Sequence, residues 1–353
     1  LPGSITKLTF GHNFNHPIKS ATLPESITFL EFGWCFNHSL VAGALPQSIT
    51  KLIFGNDFDQ VLSPRTLPER LVTLSYGYRY NSMIEVEVIP KGLRKLSFGK
   101  CFNQEILHGS LPRSLIKLYF GWSFNQSLTP GTLPSSLETL VFHSDFDQPL
   151  YPGTLPNSIT NLVFGYSFNQ SISKILPSNL KKLSFHSNFN QSNFLLPVGS
   201  SLPSLIHTLK LGFYFNQPII PKSLPNSLTS LEIGYKFNHP LTPGTLPSSL
   251  QSLTFGYACS QFNQQFIVGS LPDSLTDLHL SDMFNQNFEA NVLPGSLTRL
   301  KLGNQYYRPF PDGSLPNSLK QLILGYGFKL HPWYIMKFPP GLEMISISNW
   351  KSQ

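Results

Sequence analysis

A phrase of the form Leu-Pro-x-Ser-Leu-x-x-Leu-x-Phe-Gly-x-x-Phe-Asn-Gln returns about every 22 residues, from Leu1 almost to the C-terminus. A fixed period of this size is the mark of stacked coils, and it constrains the fold more tightly than any local propensity. Anchored on the Leu-Pro pair, coils begin at Leu1, Leu23, Leu45, Leu67, Ile89, Leu111, Leu133, Leu155, Leu176, Leu202, Leu224, Leu246, Leu271, Leu293 and Leu315, with a partial repeat from Phe338. That makes fifteen full repeats, with 338–353 as a sixteenth partial repeat and C-terminal cap. Positions are numbered below by columns of the first coil, so that column 11 begins with Gly11.

Within a coil, Leu8 and Phe10 alternate with Lys7 and Thr9, the period of a strand with one buried face. Column 11 is Gly in twelve coils, with His143, His186 and Ser281 in the others. Its frequency points to a positive φ or a close backbone approach, and the exceptions favour approach. The return half, as in Thr129-Pro130-Gly131-Thr132-Leu133-Pro134, is too rich in proline and glycine for a helix. The expected fold is a mainly β, leucine-rich-repeat-like solenoid. Its coils of about 22 residues share one parallel sheet and have an extended, turn-rich, helix-poor return side.

An ordinary chain of 353 residues would suggest two or three domains. No linker, charge run or composition shift breaks the repeat, so residues 1–353 read as a single elongated solenoid. No apolar run approaches the roughly 18 residues of a membrane helix, and no basic-then-apolar leader is present, so no membrane association is expected. The chain opens in mid-pattern at Leu1 without an initiator Met, as expected of part of a longer protein. The first coil should then expose apolar surface, with exchange protection falling toward it. Leu342, Ile345 and Ile347, covered by Trp350, Lys351 and Ser352, should cap the other end. Cys35 and Cys101 lie three coils apart, roughly 15 Å at strand spacing, and are too distant for a disulfide. A reducing compartment is expected.

Stacking turns columns into ladders. Column 14 (Phe14, Phe36, Phe124, Phe168) is aromatic in every full coil, including Tyr80 and Tyr306, and is assigned to the core. Column 15 (Asn15, Asn37, Asn125, Asn169) is Asn in eleven coils and Asp at Asp59 and Asp147. Asn and ionised Asp share acceptor oxygens and not donors, so the column is expected to accept hydrogen bonds from backbone N-H groups.

The phrases FNQPL, FNQSL and PGTLP between LPxSLxxLxF frames resemble FNIP repeats, leucine-rich-repeat relatives of amoebal and giant-virus proteins. The resemblance covers Leu1 to about Leu330. It implies a repeat scaffold that often follows an F-box, which recruits Skp1 and a cullin-type ubiquitin ligase while the repeats hold the substrate. This chain has no F-box, so the adaptor role is an expectation for a longer parent protein. A cytoplasmic location, the host cytoplasm for a viral chain, goes with it. Column 15 departs from the common LxxLxLxxN pattern by placing Asn five residues after Phe10.

Catalytic and metal-binding motifs are absent: there is no HExxH, CxxC pair, GxxxxGK[ST] or GxSxG. No catalytic residue, metal or cofactor is expected. The Asp57/Asp59 and Glu85/Glu87 pairs read as solvated loop charges in preference to a paired-carboxylate site. Binding candidates lie on the outward strand face. Lys51, Lys95, Lys117, Lys182 and Arg299, with Lys7, occupy column 7, and Lys210 and Lys301 occupy column 9. Column 12 adds Trp34, Tyr78, Trp122, Tyr166 and Tyr235, together with Phe213, Tyr257 and Tyr326. These rings either face outward as interface anchors or stack over the Gly backbone. With a net charge of +7, the face suits an acidic protein partner, or alternatively nucleic acid. Neutral and acidic residues that interrupt column 7, such as Thr73, Thr139 and Asp277, favour protein.

Overall fold

The computed structural model describes residues 1–192, 194, 202–256, 260–328 and 338–347. The chain divides into two compact units, Leu1–Gln170 and Ser171–Gln353. The described residues form short strands and no helix. Lys7–Thr9 (β1), Phe29–Glu31 (β2), Lys51–Ile53 (β3), Thr73–Ser75 (β4), Lys95–Ser97 (β5), Lys117–Tyr119 (β6), Thr139–Val141 (β7) and Asn161–Phe164 (β8) belong to the first unit. The second holds Lys182–Phe185 (β9), Thr208–Lys210 (β10), Ser230–Ile233 (β11), Ser252–Phe255 (β12), Asp277–His279 (β13), Arg299–Lys301 (β14), Gln321–Leu324 (β15) and Met344–Ile347 (β16).

Within each unit neighbouring strands pair in parallel, in chain order and in the register of the repeat, Leu8 beside Leu30 and Leu30 beside Leu52. Coil-to-coil pairing continues beyond these three- and four-residue strands. The Thr6 carbonyl accepts from Thr28 and Phe29 N-H groups at 2.8 and 3.1 Å, and the Cys35 N-H donates to the His12 carbonyl at 3.0 Å. The backbone donors of each coil thus find acceptors in the coil beside it. Column 4 adds a set of bonds that the sequence reading did not assign. Ser26 Oγ donates to the Ile5 carbonyl at 2.6 Å, and Ser136 Oγ to the Leu115 carbonyl at 2.8 Å.

The inward columns bury almost completely. Leu52, Leu74, Leu96, Phe124 and Phe168 are wholly inaccessible, whereas Leu1 in the first coil is exposed and Leu8 and Phe10 are only half-buried. Columns 10 and 14 form twin ring stacks. Phe120 and Phe124 lie 3.8 Å apart within their coil, and Phe124 lies 6.1 Å from Phe102 and 6.0 Å from Phe146. In the second unit column 10 changes to Leu211, Leu280 and Leu302, and a ring appears at column 18 as Phe288 and Phe310. Phe288 packs 5.5 Å from Phe284, so the volume lost at column 10 is replaced from the return side.

Column 15 is an acceptor ladder. Asn15 Oδ1 accepts from Asn37 N-H, Asn37 Oδ1 from Asp59 N-H and Asn125 Oδ1 from Asp147 N-H, each at 3.0 Å. Asp147 passes the pattern to Asn169 at 2.8 Å. Asn103 Oδ1 takes two donors, Asn125 N-H at 2.9 Å and Gln126 Nε2 at 3.1 Å. Truncating Asn103 to alanine leaves the Asn125 N-H without its acceptor, while Gln126 Nε2 keeps its bond to the Asn103 carbonyl, and is expected to cost about 1–3 kcal/mol. Asn103→Asp, which keeps the acceptor, should cost well under half as much by chemical denaturation. Equal losses would contradict an acceptor role.

Column 11 owes its glycine to close approach. A Cβ on Gly33 would lie 1.8 Å from the Gly11 carbonyl oxygen, and one on Gly55 1.8 Å from that of Gly33. The positive φ lies elsewhere, at column 21 of the return side, as in Gly131 (φ 85°) and Gly153 (φ 87°). There Thr132 N-H bonds the Thr129 carbonyl at 3.2 Å, so Pro130-Gly131 sits centrally in a type II-like turn. Arg65 (φ 67°), Glu87 (φ 67°) and Lys222 (φ 67°) hold the same conformation with a Cβ. Arg65→Gly is expected to raise stability by about 0.5–1 kcal/mol, read as a higher melting temperature. A lower one would show that Arg65 has no strain to relieve.

Candidate interaction face

The strand alternation that buries columns 8 and 10 turns columns 7 and 9 outward, and column 12 forms a rim beyond the glycines. In the first unit Lys7, Lys51, Lys95 and Lys117 are exposed. Lys51 Nζ lies 5.1 Å from the Phe29 ring centroid, and Lys95 Nζ lies 5.3 Å from that of Tyr119. Lys95 and Lys117 are direct partners across β5 and β6. The rim rings point to solvent: Trp34, Tyr78, Trp122 and Tyr166 are each about half exposed. Trp34 stacks on His12 at 5.5 Å. Lys100 interrupts the aromatic column and holds it together, its Nζ 5.2 Å from the Tyr78 ring and 4.5 Å from that of Trp122. Lys100 was not among the candidate residues of the sequence analysis.

In the second unit some of the outward charges pair with one another. Lys210 Nζ meets Glu232 Oε2 at 2.8 Å, and Arg299 lies 4.0 Å from Asp277, itself 3.2 Å from His279. Burial pushes the Asp277 carboxyl up, but His279 and Arg299 beside it outweigh that and hold it below its ordinary value. Lys182 and Lys301 are exposed, Phe213 and Tyr235 stack face to face at 4.3 Å, and Tyr326 is exposed on the rim. Tyr257 and Cys259, like Trp350, Lys351 and Ser352, lie outside the described residues.

Because column 11 carries no side chain in most coils, a trough runs between the column 9 side chains and the rim. It deepens in the first unit to a cavity of about 330 Å³ between Glu31, Ile53 and Trp34, floored by Gly33 and Gly55. In the second a cavity of about 370 Å³ lies between Lys210, Glu232, Phe213 and Tyr235, with His186 in its wall. Burial and the Lys210 charge lower the His186 pKa, so the ring favours its neutral form.

The Asp57/Asp59 pair is engaged in structural contacts. Asp57 meets Arg79 at 3.3 Å, and Asp59 accepts from Asn81 N-H at 2.8 Å in the column 15 ladder. Among the described residues no cluster of His, Cys, Asp and Glu has the makings of a metal site, and no helix is long and apolar enough to cross a membrane. The arrangement supplies exposed rings, fixed cations and a groove, the elements of a recognition surface.

The family model described as FNIP Repeat matches residues 1–35, 36–79, 58–101, 102–145, 146–188, 196–236, 237–261 and 262–305. No curated protein sequence matches the chain. Among solved structures, CroV588 of the giant virus CroV, described as a novel circular LRR protein, is 42% identical over 98% of this chain, with a TM-score of 0.91. The chain spans 50% of the length of that protein. An internalin (inlF) from Listeria monocytogenes is 16% identical, with 98% of this chain and 87% of the internalin covered and a TM-score of 0.47.

Proposed function

This chain belongs to the FNIP repeat family, and from that premise we propose that it is a non-enzymatic scaffold that holds a protein partner on its outward strand face and rim. The observation that carries the reading is the placement of variability. The inward columns are nearly constant, whereas columns 7, 9 and 12 change from coil to coil and present half-exposed Trp and Tyr beside Lys. Rigid aromatic rings next to cations are the residue types that dominate binding energy at protein interfaces. The location proposed is a cytoplasm, where Cys35 and Cys101 stay as free thiols.

A photo-crosslinking residue placed at Thr139 on the strand face should capture a partner in cells, and the same residue at Val61 on the return side should not. Capture from Val61 alone would overturn the reading. Within a longer parent the scaffold would serve as the substrate-holding part of a ubiquitin-ligase adaptor, and recovery of Skp1 and a cullin with the full-length protein tests that extension. Nucleic acid is the weaker reading, because neutral residues break the basic column and the Lys210 and Arg299 charges are answered by Glu232 and Asp277. Tight binding of single-stranded DNA at low salt with a steep salt slope would reverse that ranking.

A further inference from the structure

We infer that the outward face of β4–β6 is a binding site for an acidic peptide segment, one that presents two or three carboxylates alongside an apolar side chain. The inference rests on the protein-scaffold reading and locates its site. Register makes Lys95 and Lys117 neighbours on adjacent parallel strands, about 4.8 Å apart at the backbone. Like charges on adjacent strands repel each other, and columns 7, 9 and 12 of β5–β6 provide no anion to offset them. From β3 to β8, columns 7, 9 and 12 contain no Asp or Glu at all. In the columns flanking these, Asp57 is bound to Arg79, and Glu138 and Asp145 stand one coil beyond Lys117.

The second unit shows what a self-sufficient face looks like in the same columns. There Lys210 faces Glu232, and Arg299 faces Asp277, each pair in direct register. What sets β5–β6 apart is that two unanswered lysines of one column stand in direct register, whereas Lys182 and Lys301 each stand beside neutral or His neighbours.

A third cation completes the patch. Lys100 is gripped between the Tyr78 and Trp122 rings, which orients its ammonium along the rim instead of leaving it to sweep through solvent. Column 9 is small at Ser75 and Ser97 on β4 and β5, leaving room there for an extended backbone, and Tyr119 beside Lys117 bounds that space on β6. Carboxylates reach the three lysines, and an apolar side chain packs on the exposed Trp122 ring. The positive charge ends within three coils, with Thr73 before it and Thr139 and Asn161 after it. A short acidic peptide matches that extent. A nucleic-acid strand, with a phosphate at every step, would run on over neutral ground.

The test uses the whole chain and fluorescence anisotropy with three labelled probes: a nonapeptide carrying three Glu around a central Leu, its Gln counterpart, and a nine-residue oligothymidine. The Glu peptide should bind, weaken by about tenfold or more between low and high salt, and exceed both other probes. Lys95→Glu with Lys117→Glu should abolish the binding, and Lys95→Gln with Lys117→Gln should weaken it by about tenfold, the second pair guarding against misfolding of the first. Lys182→Glu with Lys301→Glu, on the other unit, should leave it unchanged. Equal affinity for Glu and Gln peptides, tighter binding of oligothymidine, or indifference to both Lys95/Lys117 pairs would each overturn the inference. If Thr139 crosslinks a partner while the Glu peptide fails, the scaffold reading stands and the acidic site falls. If Thr139 captures nothing, the scaffold reading falls by its own test.

Discussion

Replacing Gly99 with alanine is expected to destabilise the coils around it by about 3 kcal/mol or more. Its Cβ would lie 1.5 Å from the Gly77 carbonyl oxygen and 2.4 Å from the carbonyl carbon. Those atoms belong to the backbone, so no side chain can rotate away, and the coils must separate where their hydrogen bonds hold them together. Gly99 is not among the positive-φ glycines, so alanine meets no conformational penalty and the loss isolates the steric term. The column has built-in controls. A Cβ on Gly11 has nothing within 4 Å, and one on Gly256 comes no nearer than 3.2 Å to its neighbours. Alanine at either is expected to cost less than about 1 kcal/mol. Because solenoid stability is a sum of neighbour terms, the readout should be local: hydrogen exchange in the flanking coils together with urea denaturation. Equal effects at Gly11, Gly99 and Gly256 would mean that coil spacing does not depend on this column.

The second large effect belongs to the twin ring stacks. Phe124 is wholly buried between Phe102 and Phe146 and against Phe120, so Phe124→Ala is expected to cost about 3–5 kcal/mol. Leucine separates the two columns. Column 10 already holds leucine at Leu211, Leu280 and Leu302, so Phe120→Leu should cost about 1 kcal/mol. Column 14 is aromatic in every described coil, and Phe124→Leu should cost clearly more than Phe120→Leu. If the order reversed, the column 14 stack would not be the more demanding of the two.

The period made the fold legible. Leu8, Phe10, Phe14 and Asn15 recur at fixed intervals, and identical residues at identical intervals can only stack on one another. The acceptor role of column 15 was legible as well, since Asp59 and Asp147 share an oxygen with Asn and lack its donor. Gly11 was half legible: its recurrence demanded a backbone reason, but a residue name does not separate close approach from positive φ. The positive φ lay at column 21, where Arg65, Glu87 and Lys222 disguise what Gly131 and Gly153 would have announced. The Ser26 and Ser136 bonds escaped notice because serine two residues after proline reads as a turn residue.

The candidate face was the least legible part. A list of lysines on columns 7 and 9 does not say which are answered, because the answer lies on the neighbouring strand: Glu232 for Lys210, nothing acidic in register for Lys95 and Lys117. Lys100 breaks an aromatic column, and nothing in its name says that it sits between Tyr78 and Trp122. Such pairings depend on register and side-chain reach, quantities that the period fixes only once the coils are stacked.

The constant columns build the coil, and the outward columns are left free for recognition. The most direct measurement replaces Lys95, Lys117, Tyr119, Tyr78, Lys100 and Trp122 together with Ser or Thr, leaving every constant position intact. The melting temperature should move by no more than a few degrees, since these side chains lie on the surface, while binding of the Glu peptide disappears. A protein that unfolds, or one that stays folded and still binds the peptide, would contradict that division of labour.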